Sequence, residues 1–163
     1  MSKQYLSWMN DADVTRTIGR FDYLFPVSRA KLIKYFEGID TESEIFLAIT
    51  ADGPDRTSEF VGTLKVYDID YLARRASLGI LIGDKAQWGR GIASIVIRVA
   101  CRYIFQELGF DKVAAGYLAS NKAMQRAFEK NGFVVEGVLK GHLFFRGQLV
   151  DHVLVGKFKE SAS

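Results

Sequence analysis

The sequence predicts an α+β protein with a mixed, mostly antiparallel central sheet flanked by helices. Three observations carry this prediction. Short runs rich in β-branched and aromatic residues alternate with turn signals from Glu44 onward. A long run from Gly89 to Leu108 places apolar residues at helical spacing. One strand–helix–strand–helix–strand succession lies among hairpin-like neighbours, which embeds a single crossover unit in an antiparallel sheet.

The first forty residues read as helical. Asn10 or Asp11 caps a short segment, and Ser28 precedes Leu32, Ile33 and Phe36 at helical spacing, with lysines on the other face and Gly38 as the stop. Glu44 to Thr50 and Phe60 to Tyr67 are paired strands joined by the turn-like Ala51-Asp52-Gly53-Pro54-Asp55. A third strand runs from Ala76 to Ile82 and ends at Gly83-Asp84. In the long helix, Ile92, Ile95, Val96, Val99, Ala100, Tyr103 and Ile104 form the expected buried stripe. Gly109 stops it, and Lys112 to Ala119 is the next strand. Asn121 opens a second helix carrying Ala123, Met124, Ala127 and Phe128 inward, with Asn131-Gly132 as a left-handed cap. Phe133 to Leu139 then reads as a strand, and Leu143 to Lys157 as a hairpin about Arg146-Gly147.

Composition narrows the function classes. The 22 Lys+Arg and 19 Asp+Glu are interspersed, so the net charge of +3 is not a nucleic-acid-binding stripe; Arg74-Arg75 is the nearest approach to a cluster. Cys101 stands alone with His142 and His152 as the other soft ligands, which argues against a structural metal and for a reducing compartment. No apolar run approaches the roughly 20 residues that span a bilayer, and Met1-Ser2-Lys3-Gln4 lacks the apolar stretch of a signal peptide. A cytoplasmic protein with no membrane partner is expected. With only Pro26 and Pro54 and no Gly/Ser-rich tract, residues 1–163 are expected to form one domain. A homodimer is left open by the apolar edge of the terminal hairpin.

The chemistry centres on Gln87-Trp88-Gly89-Arg90-Gly91-Ile92-Ala93. Small residues there let backbone N–H groups converge at a helix N-terminus, where unpaired amides and the helix dipole attract a phosphate; Arg90 adds charge. A strand-to-helix turn that merely needs glycine to reverse direction is the alternative. Ser94 stands where the dinucleotide fingerprint requires its third glycine, and the Gly-Lys-Ser/Thr of a P-loop is absent.

Trp88 to Ala93 resembles the acetyl-CoA signature of the Gcn5-related N-acetyltransferases, Arg/Gln-x-x-Gly-x-Gly/Ala, with Gly91 and Ala93 in the small positions. Trp88 in the first position is similar to the branch that holds ribosomal-protein alanine and amino-sugar acetyltransferases. Ala119-Ser120-Asn121 followed by Glu129-Lys130-Asn131-Gly132-Phe133 resembles that branch's Asn-x-x-Ser…Glu-Lys-x-Gly-Phe element. Weaker similarities lie at Tyr5 to Asp11 and Phe145 to Asp151, while the strand that usually precedes the Trp-x-Asn region is missing or replaced by Met1 to Gln4.

The resemblance implies the acyl-CoA N-acyltransferase fold with a splayed strand, and an acetyl-CoA-dependent N-acetyltransferase without a metal. Backbone amides from Gly89 to Ala93, flanked by Gln87, Trp88 and Arg90, would hold the pyrophosphate. Ile80, Leu81 and Ile82 would pair with the pantetheine like an added strand, Leu81 N–H serving the oxyanion. Asn121 and Phe128 would lie near the cofactor, although Asn121 also reads as a helix cap and Phe128 as core. Trp8, Asn10 and Tyr35 fall in the segment that shapes the acceptor pocket in relatives, and each reads equally as core or cap.

The match thins at the acid and base. Ser77 stands where many relatives carry glutamate, Met124 replaces the serine of the Asn-x-x-Ser element, and Phe128 replaces a tyrosine acid. His142, Asp151, Glu44 and Tyr117 remain candidates; an acceptor amine of low pKa, or loss of catalysis, are the other readings. The expected acceptor is a primary amine. The Tyr5 to Asp11 pattern and Glu136 to Leu139 favour an amino sugar on a nucleotide carrier, with a protein N-terminus, or a non-catalytic acyl-CoA-binding module, as alternatives.

Overall fold

The computed structural model describes residues 2–16, 18, 25–52, 57–145 and 147–160. Helices α1 (Lys3–Met9), α2 (Ala12–Thr15) and α3 (Arg29–Glu37) precede strands β1 (Ile45–Asp52), β2 (Ser58–Asp70) and β3 (Arg75–Ile82). Helix α4 (Ile92–Gln106), strand β4 (Lys112–Leu118), helix α5 (Lys122–Lys130) and strands β5 (Val134–Phe145) and β6 (Gln148–Phe158) follow. The sheet order is β1-β2-β3-β4-β6-β5, and only β3 and β4 run parallel. This is the predicted α+β class, with its crossover through α4. The expected turn centres at Gly53-Pro54-Asp55 and Arg146 lie outside the described residues.

Local chemistry sets the helix starts. Ser2, Asp11, Ser28 and Asn121 each accept a backbone N–H through the side chain, a cap worth about 1 kcal/mol apiece. Gly91 is the exception: it caps α4 in a left-handed conformation, with no side-chain bond to the first-turn amides.

Two apolar clusters divide the sheet's faces. Ile97, Ala100, Cys101, Ile104 and Phe105 of α4 pack with Leu64, Val66, Leu78, Val113, Ala115 and Val155 on one face. Tyr5, Trp8, Met9, Val14 and Leu32 from α1–α3 pack with Phe46, Phe60 and Leu81 on the other. Ile97 and Ile104 are fully buried, each contributing about 1.5–3 kcal/mol of burial. Cys101 lies in this core, and burial pushes its thiol up to about 11, which leaves it unreactive.

Several elements differ from the sequence expectation. Ile95, Val99 and Tyr103 are half exposed, and the buried stripe of α4 is rotated toward Ile97 and Cys101. The helix is apolar on most of its circumference, so periodicity established its existence but not its phase. It also starts at Ile92, because Gly89 and Gly91 adopt φ of +76° and +79° and form a turn. Ala123 faces solvent. The terminal segment is one long pair, β5 against β6, whose register shifts between Leu139 and Leu143, where Gly141 has φ +54°. That irregularity absorbs the expected break without ending the strand.

Candidate active site

The glycine turn is held from three sides. Asp84 caps a 3-10 turn over Lys85–Gln87, and Lys85 Nζ reaches Asp11 at 2.7 Å, tying the turn to α2. Hydrogen bonding to Asp11 raises the Lys85 pKa and lowers that of Asp11. Trp88 Nε1 donates to Ile82 O at 2.8 Å, latching the turn to the end of β3, and Arg90 donates to Gln87 Oε1 at 2.9 Å. Asn131 Nδ2 donates to Ser94 O and Oγ and to Ala127 O, bracing the start of α4 against the end of α5. A Cβ placed on Gly89 or Gly91 would meet no atom within 4 Å. Open space thus lies over two left-handed glycines and the uncapped amides of a 15-residue helix, an arrangement that fits a pyrophosphate.

Below the turn the sheet divides. Strands β3 and β4 are paired only from Arg75–Lys112 to Leu78–Ala115, although both continue beyond. Backbone alternation assigns the groups that face the gap. Arg74 O accepts from Asp111 N and Lys112 N on the β4 side, Ile82 O accepts from Trp88, and Gly83 N donates to Val61 O on the β2 side. Even-numbered residues of β3 therefore face β4, which gives Ile80 and Ile82 to the gap. Leu81 faces β2, opposite Thr63, and its side chain packs among the α1–α3 cluster. The expected Leu81 donor is corrected on this ground: the adjacent N–H groups of Ile80 and Ile82 are the ones aimed into the gap.

The sheet face opposite α4 carries the other side of the gap. Val113, Ala115 and Tyr117 of β4 point into the α4 core, so Ala114, Gly116 and Leu118 point away from it. His152, paired with Leu118, lays its ring over Gly116; a Cβ there would collide with Nε2 and lie 2.8 Å from Cε1. His142 stacks on it, with ring centroids 6.0 Å apart and planes 11° apart. Burial, followed by the charge of His142, holds the His152 imidazole below the ordinary histidine value. In the sequence His152 figures only as a possible soft ligand beside Cys101 and His142, because its position over Gly116 depends on strand register.

The remaining acid–base candidates are engaged elsewhere. Asp151 accepts from Lys140 Nζ at 2.8 Å and from Gly141 N at 3.0 Å, and the Lys140 bond holds its carboxyl below the usual range. It closes the hairpin irregularity and is a poor base. Glu44 accepts from Tyr35 Oη at 2.9 Å and pairs with Lys65 at 2.7 Å. Tyr117 is buried on the α4 face, stacked on Phe128, and burial raises its pKa. His142 is exposed.

The expected ligand residues divide similarly. Trp8 is 7% exposed and lies directly beneath Gly83, where any Cβ would enter its indole ring; it is core. Asn10 donates to Leu6 O and Val27 O and accepts from Val27 N, bracing α1 against the segment before α3. Tyr35 stays partly exposed with Lys65 Nζ 5.3 Å from its ring. Phe128 is 2% exposed between Tyr117 and Phe133, so it fills the core and offers no ligand surface. Asn121 Oδ1 caps α5 through Met124 N at 3.2 Å. Among the described residues no His/Cys/Asp/Glu group could hold a metal ion, and no helix is long and apolar enough to cross a membrane.

A mixed sheet split between β3 and β4, with a glycine turn and an uncapped helix start following β3, is the architecture of an acyl-CoA-dependent transferase. Residues 2–134 match the acetyltransferase (GNAT) domain, and the chain belongs to that family of N-acetyltransferases, whose acyl donor is acetyl-CoA. YjcK of Bacillus subtilis (strain 168), named a probable N-acetyltransferase, is 29% identical over 80% of this chain and 70% of its own. Spermidine N(1)-acetyltransferase of Escherichia coli (strain K12) is 32% identical over 70% of this chain and 58% of its own. The crystal structure of spermidine N-acetyltransferase from Vibrio cholerae, in complex with CoA and spermine, has the same fold. It superposes with a TM-score of 0.80 at 21% identity, covering 97% of this chain and 92% of that one.

Proposed function

We propose that the protein acetylates a small aliphatic primary amine, of the polyamine kind, with acetyl-CoA as donor. One observation carries the reading: β3 and β4 part beyond Leu78–Ala115, with the glycine turn and the uncapped start of α4 following β3 and with Gly116 and His152 on the sheet face opposite α4. A donor entering from the α4 face and an amine entering from the other meet inside the sheet. Acetyl-CoA supplies a thioester whose acetyl carbon is the electrophile. Amides at the start of α4 bind its phosphates, Trp88 keeps the turn aligned with β3, and the Ile80 and Ile82 N–H groups donate to oxygens in the gap. Asn121 uses only its oxygen as a cap, so the amide's donor end is the part suited to a ligand.

The polyamine class is supported by similarity to spermidine acetyltransferases from two organisms. The residues that favoured an amino sugar have structural employment: Trp8 and Asn10 brace the helices, and Glu136 lies against Gly156 and pairs with Lys112 at 2.7 Å.

The test is incubation with acetyl-CoA and a panel of polyamines, nucleotide amino sugars and N-terminal peptides, with products read by mass. Acetylated polyamine is expected. Product from sugars or peptides alone would overturn the acceptor class, and bound acetyl-CoA with no product from any amine would overturn the transferase reading of this site.

A further inference from the structure

We propose that His152 is the proton acceptor for the incoming amine. This rests on the acetyl-transfer reading above and adds a catalytic residue to it. A primary aliphatic amine arrives as an ammonium ion at neutral pH, and its lone pair is unavailable until a proton leaves. The face opposite α4 must therefore offer a neutral base beside the gap.

His152 meets the requirements of position, access and state. Its ring covers Gly116, the residue immediately after the last β4 position still paired to β3, so it stands at the point where the sheet opens. Glycine at 116 is what lets an imidazole lie across the strand; any side chain would occupy the same volume. The ring is half-buried, and the exposed His142 stacks on it.

The ionisable neighbours leave it neutral. From β5, His142 is the group whose charge acts on it, and Lys140 is occupied by Asp151. Gly116 and Leu118 of β4 carry no charge. Across the gap, β3 presents Ser77 and Gly79, and β2 presents Tyr67 and Lys65, the latter paired to Glu44. With its pKa held below the ordinary value, the imidazole has an open lone pair at pH 7.

The step balances without another reactant. One proton passes from the ammonium to the imidazole of His152, and the freed lone pair forms the C–N bond at the acetyl carbon. The C–S bond breaks, a second amine proton ends on the departing sulfur, and the imidazolium returns its proton to water. The net change is ammonium plus thioester to amide, thiol and one proton.

The experiment compares wild type with His152→Gln over pH and over amines of decreasing pKa, with CoA affinity measured by calorimetry. At pH 7 and with a polyamine, kcat/KM is expected to fall about 10²- to 10³-fold while CoA affinity stays within about twofold. The deficit should shrink for weakly basic amines and at alkaline pH, where the acceptor arrives neutral. An equal deficit for every amine at every pH would reduce His152 to a structural role and overturn the proposal. The imidazole titration of His152, followed by NMR, separates this failure from failure of the acetyl-transfer reading. A His152 resonance unmoved by CoA and amine together overturns the base whatever the turnover. A responsive His152 in an enzyme that acetylates no polyamine supports its place at the gap and overturns the acceptor class.

Discussion

The glycine turn draws its site from a contiguous stretch, Gln87 to Ala93, whereas the acceptor side is assembled from Gly116 and His152 on different strands. In the first, backbone amides are the proposed binding groups, so glycines, a helix start and a flanking tryptophan leave a readable signature. In the second, a side chain does the chemistry, and its neighbours follow from register. The contrast explains why the donor half of an enzyme is legible where its acceptor half is not, and mutations can test it from both ends.

The largest effect belongs to the turn. Gly91→Val forces a β-branched residue to φ +79°, which costs about 1–2 kcal/mol of backbone strain, and adds a side chain where phosphates bind. Acetyl-CoA affinity is expected to drop about 10- to 100-fold by calorimetry, with little change in the far-UV spectrum. Unchanged affinity would remove the turn from the site.

Gly116→Val sharpens the other half. The side chain takes the volume of the His152 ring, so kcat/KM should fall at least tenfold while CoA affinity stays within about twofold. Loss of both in parallel would mean the two halves are not separable. Next comes Asn131→Ala, which removes donations to Ser94 and Ala127 and should cost about 1–3 kcal/mol in denaturant unfolding. It should also weaken CoA binding, since the brace positions the start of α4.

The smallest change is a titration. The His152 pKa is lowered in the folded protein, so below the ordinary value of 6.5 the unfolded chain binds the proton more readily. Stability is full above that value and is lost as pH falls below it through the lowered folded-state pKa; His152→Gln should flatten this part of the profile. Identical profiles for the two proteins would contradict the assigned environment.

The same division runs through the fold. Strands β1 to β4 and the caps at Ser28 and Asn121 are written in local pattern, and so is the crossover that identifies the architecture. The phase of α4 is not, because Ile95, Val99 and Tyr103 are as apolar as the residues that end up buried. Trp8 and Asn10 are open between acceptor, core and cap in the sequence, and contact with Gly83 and with Val27 settles them as core and brace. Phe128 likewise becomes core through Tyr117 and Phe133. Asp151, an acid–base candidate in the sequence, becomes a hairpin contact because Lys140 and Gly141 converge on it, and the move of the gap-facing donors from Leu81 to Ile80 and Ile82 follows from the hydrogen-bond register of β3 on β2.

Amide hydrogen exchange across residues 88–95, with and without CoA, tests the central claim most directly. The geometry predicts that CoA slows exchange at Ile92, Ala93 and Ser94, whose amides lack side-chain caps at the start of α4. Protection confined to other segments, or none at saturating CoA, would contradict the assignment of this turn as the donor site.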